Sequence, residues 1–524
     1  MILSRLSLFA LALALPASAQ ALTAEDVLEV QNNLITRLGF TPSGRLESAP
    51  QGMQLVDTGG RMVRPFDWGE IGWQLSPFIL TEDGDGILIR WDDDLRVTLN
   101  YRPRPHGEKP GMGDADITTT FAITAQDYIS RATGSAADIV ITSQAALYEA
   151  RLVDAAWIEA PLAPPPAGDK PANTHPQIAL SVQDWAGEMR LTGFTAANEG
   201  TATLSSTDSA VLVATRYAFT HAGITDSGAS AQEDLASSFA LTLPATPAIR
   251  SGFGPSLREG LAFTATTTSG ASQSDSTTRG PDADSQYRQT TGAGEATFHL
   301  DAAQGLSLAG QTENLLFALR DMWITDDPVE TTIGQAAFAL ALPFMANGQR
   351  EQATLSLDLA EMRSDTGPLF GRDLAAAFTR EPFTFGLTLG ADYEPLVDLT
   401  DMGGILDVLE SDGLLRAYDF GIDRLDLRYG EASLTGGGRL SWGWRGAILG
   451  VDFPNPKGSV TFTLTGAYAL LTRLGQENLL PPAMLSAARG AVAAFGRAKG
   501  PDVVESTIAL GPDGFTINGV PAPF

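Results

Sequence analysis

Over much of this chain apolar and polar residues alternate one for one, a period that fits extended strands with one apolar and one polar face. Leu95, Val97, Leu99 and Tyr101 fall on one face against Arg96, Thr98, Asn100 and Arg102. Ile87, Ile89 and Trp91 alternate just before them, and Asp92-Asp93-Asp94 reads as the polar turn joining two antiparallel strands. The alternation returns in Ala210 to Phe219, Ala240 to Leu243 and Gly260 to Thr268, then in Phe338-Leu340-Leu342 and Leu355-Leu357-Leu359. With 54 Gly and 31 Pro in 524 residues, the composition argues against a helical bundle. The expected fold class is a β-rich α+β protein: large antiparallel twisted sheets with several packing helices, mainly N- and C-terminal.

Helical spacing is confined to a few intervals. Thr23 with Asp26 resembles a capping box, followed by Val27, Val30, Leu34, Ile35 and Leu38, with Gly39 as a stop. A second helix is predicted from about Thr142 to Glu159, part of a third within Tyr393 to Leu415, and two more over Ala467 to Leu480 and Ala483 to Ala498. The chain then finishes with strands Val503 to Leu510 and Phe515 to Asn518 around the turn Gly511 to Gly514.

Residues 1–19 read as a secretory signal: Arg5, the apolar run Leu6 to Leu15, Pro16 and the small triplet Ala17-Ser18-Ala19, with cleavage after Ala19 or Ala21. No later stretch holds enough uninterrupted apolar residues to span a bilayer; Leu479 to Phe495 is broken by Pro481, Pro482 and Arg489. The expected product is an exported protein of a bacterial periplasm, soluble after signal cleavage, with no transmembrane span. Residues 20–160 form an N-terminal helix plus antiparallel strands, and 161–177 a proline-rich linker or crossover. Residues 178–380 are a β-rich middle containing a polar excursion or long polar hairpin at 264–294, and 381–524 a C-terminal strand, helix and strand region.

Charge and residue counts remove several chemistries. The 62 acidic and 34 basic residues leave a formal charge of −28, which repels nucleic acid. The absence of cysteine excludes disulfides, thiolate metal sites and a cysteine nucleophile. His106, His175, His221 and His299 are isolated in sequence, without metal-ligand spacing. GxSxG and Ser-x-x-Lys are absent, so no familiar hydrolase motif is present. The glycine groups at 252–254, 292–294 and 436–438 lack the strand and helix that cradle phosphate. Glu82-Asp83-Gly84-Asp85-Gly86 reads as a solvated hairpin tip, because Ile87 stands where an EF-hand needs an oxygen ligand. No catalytic residue, metal or cofactor is expected, and the chain reads as a non-enzyme.

In the C-terminal third, Leu425-Asp426-Leu427-Arg428-Tyr429-Gly430 is followed by Leu434, Gly438-Arg439-Leu440, Pro456-Lys457-Gly458, Leu464, Leu470-Leu471, Leu474 and Leu479-Leu480-Pro481-Pro482. This ordered set resembles the closing region of an uncharacterised alphaproteobacterial envelope family, the domain of unknown function 2125, over roughly residues 390 to 524. Tyr429 stands where that family usually carries Trp. The resemblance implies a secreted, β-rich envelope protein loosely like the AsmA-like proteins, and it supplies no catalytic residue.

Leu425, Leu427 and Tyr429 share one strand face and Arg424, Asp426 and Arg428 the other, while Val460, Phe462 and Leu464 alternate with threonines. Leu470, Leu471 and Leu474 of the following helix are suited to such a face, which makes a sheet-on-helix core the economical expectation. The functional expectation is a lipid-like or apolar ligand in a groove walled by Leu425, Leu427 and Phe462, with Leu470 and Leu474 on the covering helix. Arg102 and Arg104 are the expected contacts to an anionic headgroup. The alternative is a periplasmic scaffold that binds another envelope protein; a hydrolase of unrecognised type ranks third.

Overall fold

The computed structural model describes residues 21–63, 69–91, 94–103, 117–156, 174–221, 223–246, 253–321, 325–365, 381–400, 414–441, 457–511 and 514–521. Most of these are antiparallel strands, and the few helices lie mainly towards the two ends of the chain, as the alternation requires. The chain divides into two compact units: 1–166, 179–211 and 238–251 in the first, and 167–178, 212–237 and 252–524 in the second. The signal reading, Arg104, His106 and most of the proline-rich stretch fall outside the described residues.

The first unit opens with α1 (Ala24–Arg37). Thr23 Oγ1 accepts from Asp26 N–H at 3.2 Å while Asp26 Oδ2 accepts from Thr23 N–H at 2.9 Å, so the capping box forms. Gly39 follows with φ +92°, the left-handed stop. The strands are β1 (Thr41–Ala49), β2 (Gly52–Val63), β3 (Gly69–Leu75), β4 (Phe78–Asp83), β5 (Gly86–Arg90), β6 (Leu95–Pro103), β7 (Ile117–Gln126), β8 (Ile129–Ser135) and β9 (Asp138–Ala156). They continue in β10 (Thr174–Thr192), β11 (Ala202–His221) and β12 (Ile224–Leu243), which contribute residues to both units.

Register shows how these strands are organised. Trp73 of β3 pairs with Gly60, and Phe78 of β4 with Leu55, so β3 and β4 run along β2 as one strand interrupted at Ser76-Pro77. Proline has no N–H to give to a ladder, which places the interruption there. The expected hairpin through Asp92-Asp93-Asp94 is corrected: β5 pairs with β4 and β8, β6 pairs with β3 and β7, and the two do not pair with each other. Each is committed to partners on both of its own edges. The helix expected from Thr142 to Glu159 is also corrected, since residues 138–156 form β9. Its Ala, Glu and Leu content favours a helix locally, but β7 and β8 line one edge and β10 the other, and pairing outweighs propensity.

α1 lies against β1, β2 and β4. Val30, Ile35, Leu55, Leu80, Ile87 and Ile139 are buried and make the core of this unit. Arg37, at the end of α1, is buried too: its guanidinium donates to the carbonyls of Gly200 and Asn198, both at 2.8 Å, and tethers that loop. Burial pushes its pKa down.

The second unit contains α2 (Phe253–Arg258) and the strands β13 (Ala262–Ser269), β14 (Ser272–Gly280), β15 (Ala283–Thr291), β16 (Gly294–Asp301), β17 (Gly305–Asp321), β18 (Thr325–Leu342), β19 (Glu351–Ser364) and β20 (Phe383–Pro395). They are followed by β21 (Leu415–Tyr429), β22 (Ala432–Ser441), β23 (Lys457–Thr465), α3 (Ala467–Gln476), α4 (Pro482–Phe495), β24 (Arg497–Gly500), β25 (Val503–Gly511), β26 (Gly514–Ile517) and β27 (Val520–Pro521). The polar segment 264–294 is the long hairpin expected as one alternative. Its Ser, Thr and Asp side chains pair across strands, as in Ser272 with Thr291 at 2.7 Å and Arg288 with Asp275 at 2.7 Å. Of the helix expected within Tyr393 to Leu415, Tyr393–Pro395 instead ends β20, and 401–413 lie outside the described residues.

In each unit the pairing is interrupted at one level across successive strands. In the first, Asp127, Ala146 and Asp184 lie in one row, and Asp127 and Asp184 take φ +53° and +48°. In the second, Asn314 stands opposite Gly334, which stands opposite Glu361; Asn314 and Glu361 take φ +49° and +55°. Asp and Asn tolerate this left-handed geometry better than β-branched residues, which explains the polar choice in the middle of strands.

Candidate functional site

The site is assembled by register in the second unit. One rung of directly opposed residues reads Ala336, Leu359, Phe385, Leu427, Leu434, Leu464 and Val504. The next reads Gly310, Phe338, Leu357, Leu387, Leu425, Gly436 and Phe462, and the third Leu308, Leu340, Leu355, Leu389, Ile422, Gly438, Val460 and Ile508. Directly opposed residues share a face, so β18 to β23 carry one continuous apolar plate, which β17 and β25 extend except at Thr312 and Ser506. At ordinary strand and residue spacings it measures about 34 by 14 Å.

The plate is not a filled core. Leu355 is 46% exposed, Phe338 42% and Leu357 37%, and of the three rungs only Val504 is buried. By contrast Ile87 in the first unit is 0% exposed. The most open part of this footprint is the apolar cluster of Phe338, Leu355 and Leu357 on β18 and β19.

Two local devices keep the face apolar. A bulge at Asp423-Arg424 lets two successive charged residues share the opposite face, so Ile422 and Leu425, three apart, both remain on the plate. Glycines beneath the aromatic rings flatten it: a Cβ at Gly310 would lie 2.7 Å from Phe338 Cε1, and one at Gly436 would lie 2.6 Å from Phe462 Cδ1.

The reverse face is polar and satisfies itself. Arg439 donates to Asp419 and Asp423, each at 2.8 Å, and Arg350 bridges Asp392 at 2.5 Å and Asp419 at 2.6 Å while stacking over Tyr418 at 4.8 Å. The hydrogen bond that Arg439 donates to Asp423 raises the pKa of Arg439. Arg424 reaches across Gly386 to Asp358, and Arg428 pairs with Asp426 within its own strand at 2.7 Å.

Of the sequence-predicted residues, Leu425, Leu427 and Phe462 lie together on the plate. The packed sheet-on-helix core expected of them is corrected, because all three remain half-buried. Leu470 and Leu474 are half-buried on α3, which touches β22 and α4. Arg473 anchors that helix to Glu381 at 2.6 and 2.9 Å, near the turn between β21 and β22. α3 therefore stands by the first rung, at one end of the strands. Arg102 belongs to the first unit, opposite Glu70, in a polar cleft with Arg61 and Asn100. Sequence reasoning did not join Phe338, Leu355, Phe385 and Leu387 to this face, although their alternation was visible; only register identifies them as neighbours.

The acidic turn Asp83 to Gly86 joins β4 to β5, and Arg131 donates to Asp83 O at 2.8 Å and Asp85 Oδ1 at 2.9 Å. Among the described residues no cluster of acidic or histidine side chains is arranged to hold a metal, and no helix is long and apolar enough to cross a membrane. No protein-family profile, curated protein or solved structure matches the chain.

Proposed function

We propose that this protein binds the acyl chains of a lipid on the apolar plate of its second unit, as an exported, non-catalytic component of a bacterial envelope. The observation that carries this reading is the half-exposed state of three consecutive apolar rungs, backed by a reverse face whose charges are already paired. A half-bilayer of hydrocarbon is about 15 Å thick, so an acyl chain of ordinary length matches the extent of the plate along the strands. The export signal read in residues 1–19 and the envelope-family resemblance of residues 390 to 524 support the compartment.

Mass spectrometry of an organic extract of the protein purified from its native envelope tests the reading. An acyl lipid is expected in the parent extract and should be lost in Leu355→Asp and Leu387→Asp, with circular dichroism unchanged. A lipid-free parent would overturn it, and capture of one envelope protein through the same face would support the scaffold instead.

A further inference from the structure

The apolar face does not stop at its first rung. Phe383 and Phe385 alternate on β20 without interruption, and Phe383 stands directly opposite Met362, so the face carries past the left-handed Glu361 into a further rung with Met362 and Tyr429. Two residues on, the chemistry changes: the rung reads Ser230, Ser274, Gln289, Phe317, Thr331 and Ser364. The one beyond it reads Gly228, Ser276, Tyr287, Leu319 and Val329. On one face, hydrocarbon thus gives way along the strands to hydroxyl, amide and aromatic side chains.

Neither of these two rungs holds a charge. Arg279, Arg288, Arg320 and Arg363 belong to the same strands, but register puts each on the reverse face, opposite Asp284, Asp275, Gln286 and Thr332. The next rung on the near side carries Asp226 and Asp321, with Thr278 and Ser285 between them. Tyr287 Oη donates to Gln289 Oε1 at 2.6 Å, which fixes the phenol and leaves the amide N–H groups of Gln289 as donors. Among the described residues the Ser274 and Ser276 hydroxyls have no hydrogen-bond partner. Tyr217, 39% exposed, lies over Gly228, where a Cβ would fall 2.5 Å from its Cε1.

We infer that these two rungs receive the headgroup of the bound lipid, and that this head is an uncharged sugar. A pyranose has hydroxyls around its edge and C–H bonds on its faces, which suit the serine, glutamine and tyrosine groups collected here. A phosphate would meet no cation on this face and two carboxylates one rung further on. The inference rests on the lipid-binding reading and names the class of lipid.

Native mass spectrometry of the purified protein, titrated with three lipids of identical acyl chains, tests it. Monogalactosyl diacylglycerol is expected to bind about tenfold or more tightly than phosphatidylglycerol or phosphatidylethanolamine. The double variant Tyr287→Ala, Gln289→Ala should bring the three affinities to within about twofold, with circular dichroism unchanged. Ser276→Arg, which adds a cation at a half-buried position in the middle of the face, reads the same contrast from the other side and should raise the affinity for phosphatidylglycerol. Leu357→Asp should weaken all three lipids alike. A parent that binds the three equally, or prefers a phospholipid, overturns the inference and leaves the lipid-binding reading standing. A folded double variant that keeps the parent's preference, or a Ser276→Arg protein that gains nothing for phosphatidylglycerol, overturns it too, because the head would then be held elsewhere. A parent that binds none of the three overturns both readings.

Discussion

Phe462 lies across Gly436, its direct partner in the ladder, with the ring edge where a Cβ at Gly436 would be. Gly436→Val therefore has to lift the ring off the strand, and should lower stability by about 1–3 kcal/mol in urea unfolding. Gly490→Ala is the control with the opposite sign. Nothing lies within 4 Å of its missing Cβ, and it sits inside α4, so the change should raise stability by about 0.5–1 kcal/mol.

Arg37→Leu should destabilise the first unit by about 1–3 kcal/mol, because the carbonyls of Gly200 and Asn198 would lose their buried donor. Arg428→Ala, which removes an exposed pair with Asp426, should cost less than about 1 kcal/mol. Equilibrium unfolding of the two variants side by side measures the contrast.

Asp substitutions separate plate from core. Leu355→Asp and Leu357→Asp put a charge where solvent already reaches and should leave folded protein in normal yield, whereas Ile87→Asp buries a charge without a partner and should abolish it. Soluble yield and thermal melts decide the matter.

Fold class and the sheet faces were legible because alternation at period two is a local signal. Which strands pair was not, because β5 and β6 are adjacent in sequence yet take their partners elsewhere, β5 from β4 and β8 and β6 from β3 and β7, and Asp92 to Asp94 carry the same turn chemistry in either topology. β9 was lost to its own helix-favouring residues. For the site, Leu425, Leu427 and Phe462 were placed on one face correctly, but their half-exposure depends on what does not cover them, and no residue pattern within the strand encodes that.

The hydrogen bond from Arg190 holds the Asp138 carboxyl below the usual carboxylate range, so the pair stabilises the β9–β10 ladder. With the folded pKa depressed, that contribution is complete above the unfolded value and disappears as pH falls through the folded one. The stability difference between parent and Asp138→Asn should therefore be steady near neutrality and shrink below about pH 4. Both groups are largely exposed, so the full difference should stay below about 1 kcal/mol.

Tyr393 behaves oppositely. Burial, with Glu351 nearby, pushes its phenol up to about 12, and its hydroxyl donates to the carbonyl of Pro343. A raised folded pKa gives stability that is present below the ordinary phenol value of 10.0 and is lost as pH rises towards about 12. Burial raises Tyr128 and Tyr148 as well, so ultraviolet titration should show several late-ionising tyrosines, one fewer in Tyr393→Phe, and the variant should lose less stability than the parent over that alkaline interval.

The repeated register of the second unit also makes the plate a counting device. Each hairpin between β17 and β23 adds two strands that present the same three levels of side chains, about 10 Å of width at a time. The width of such a surface changes in whole hairpins, so on the proposed lipid-binding reading a bulkier or slimmer ligand would be matched by duplicating or deleting one genetic segment, without reworking any side chain already in place.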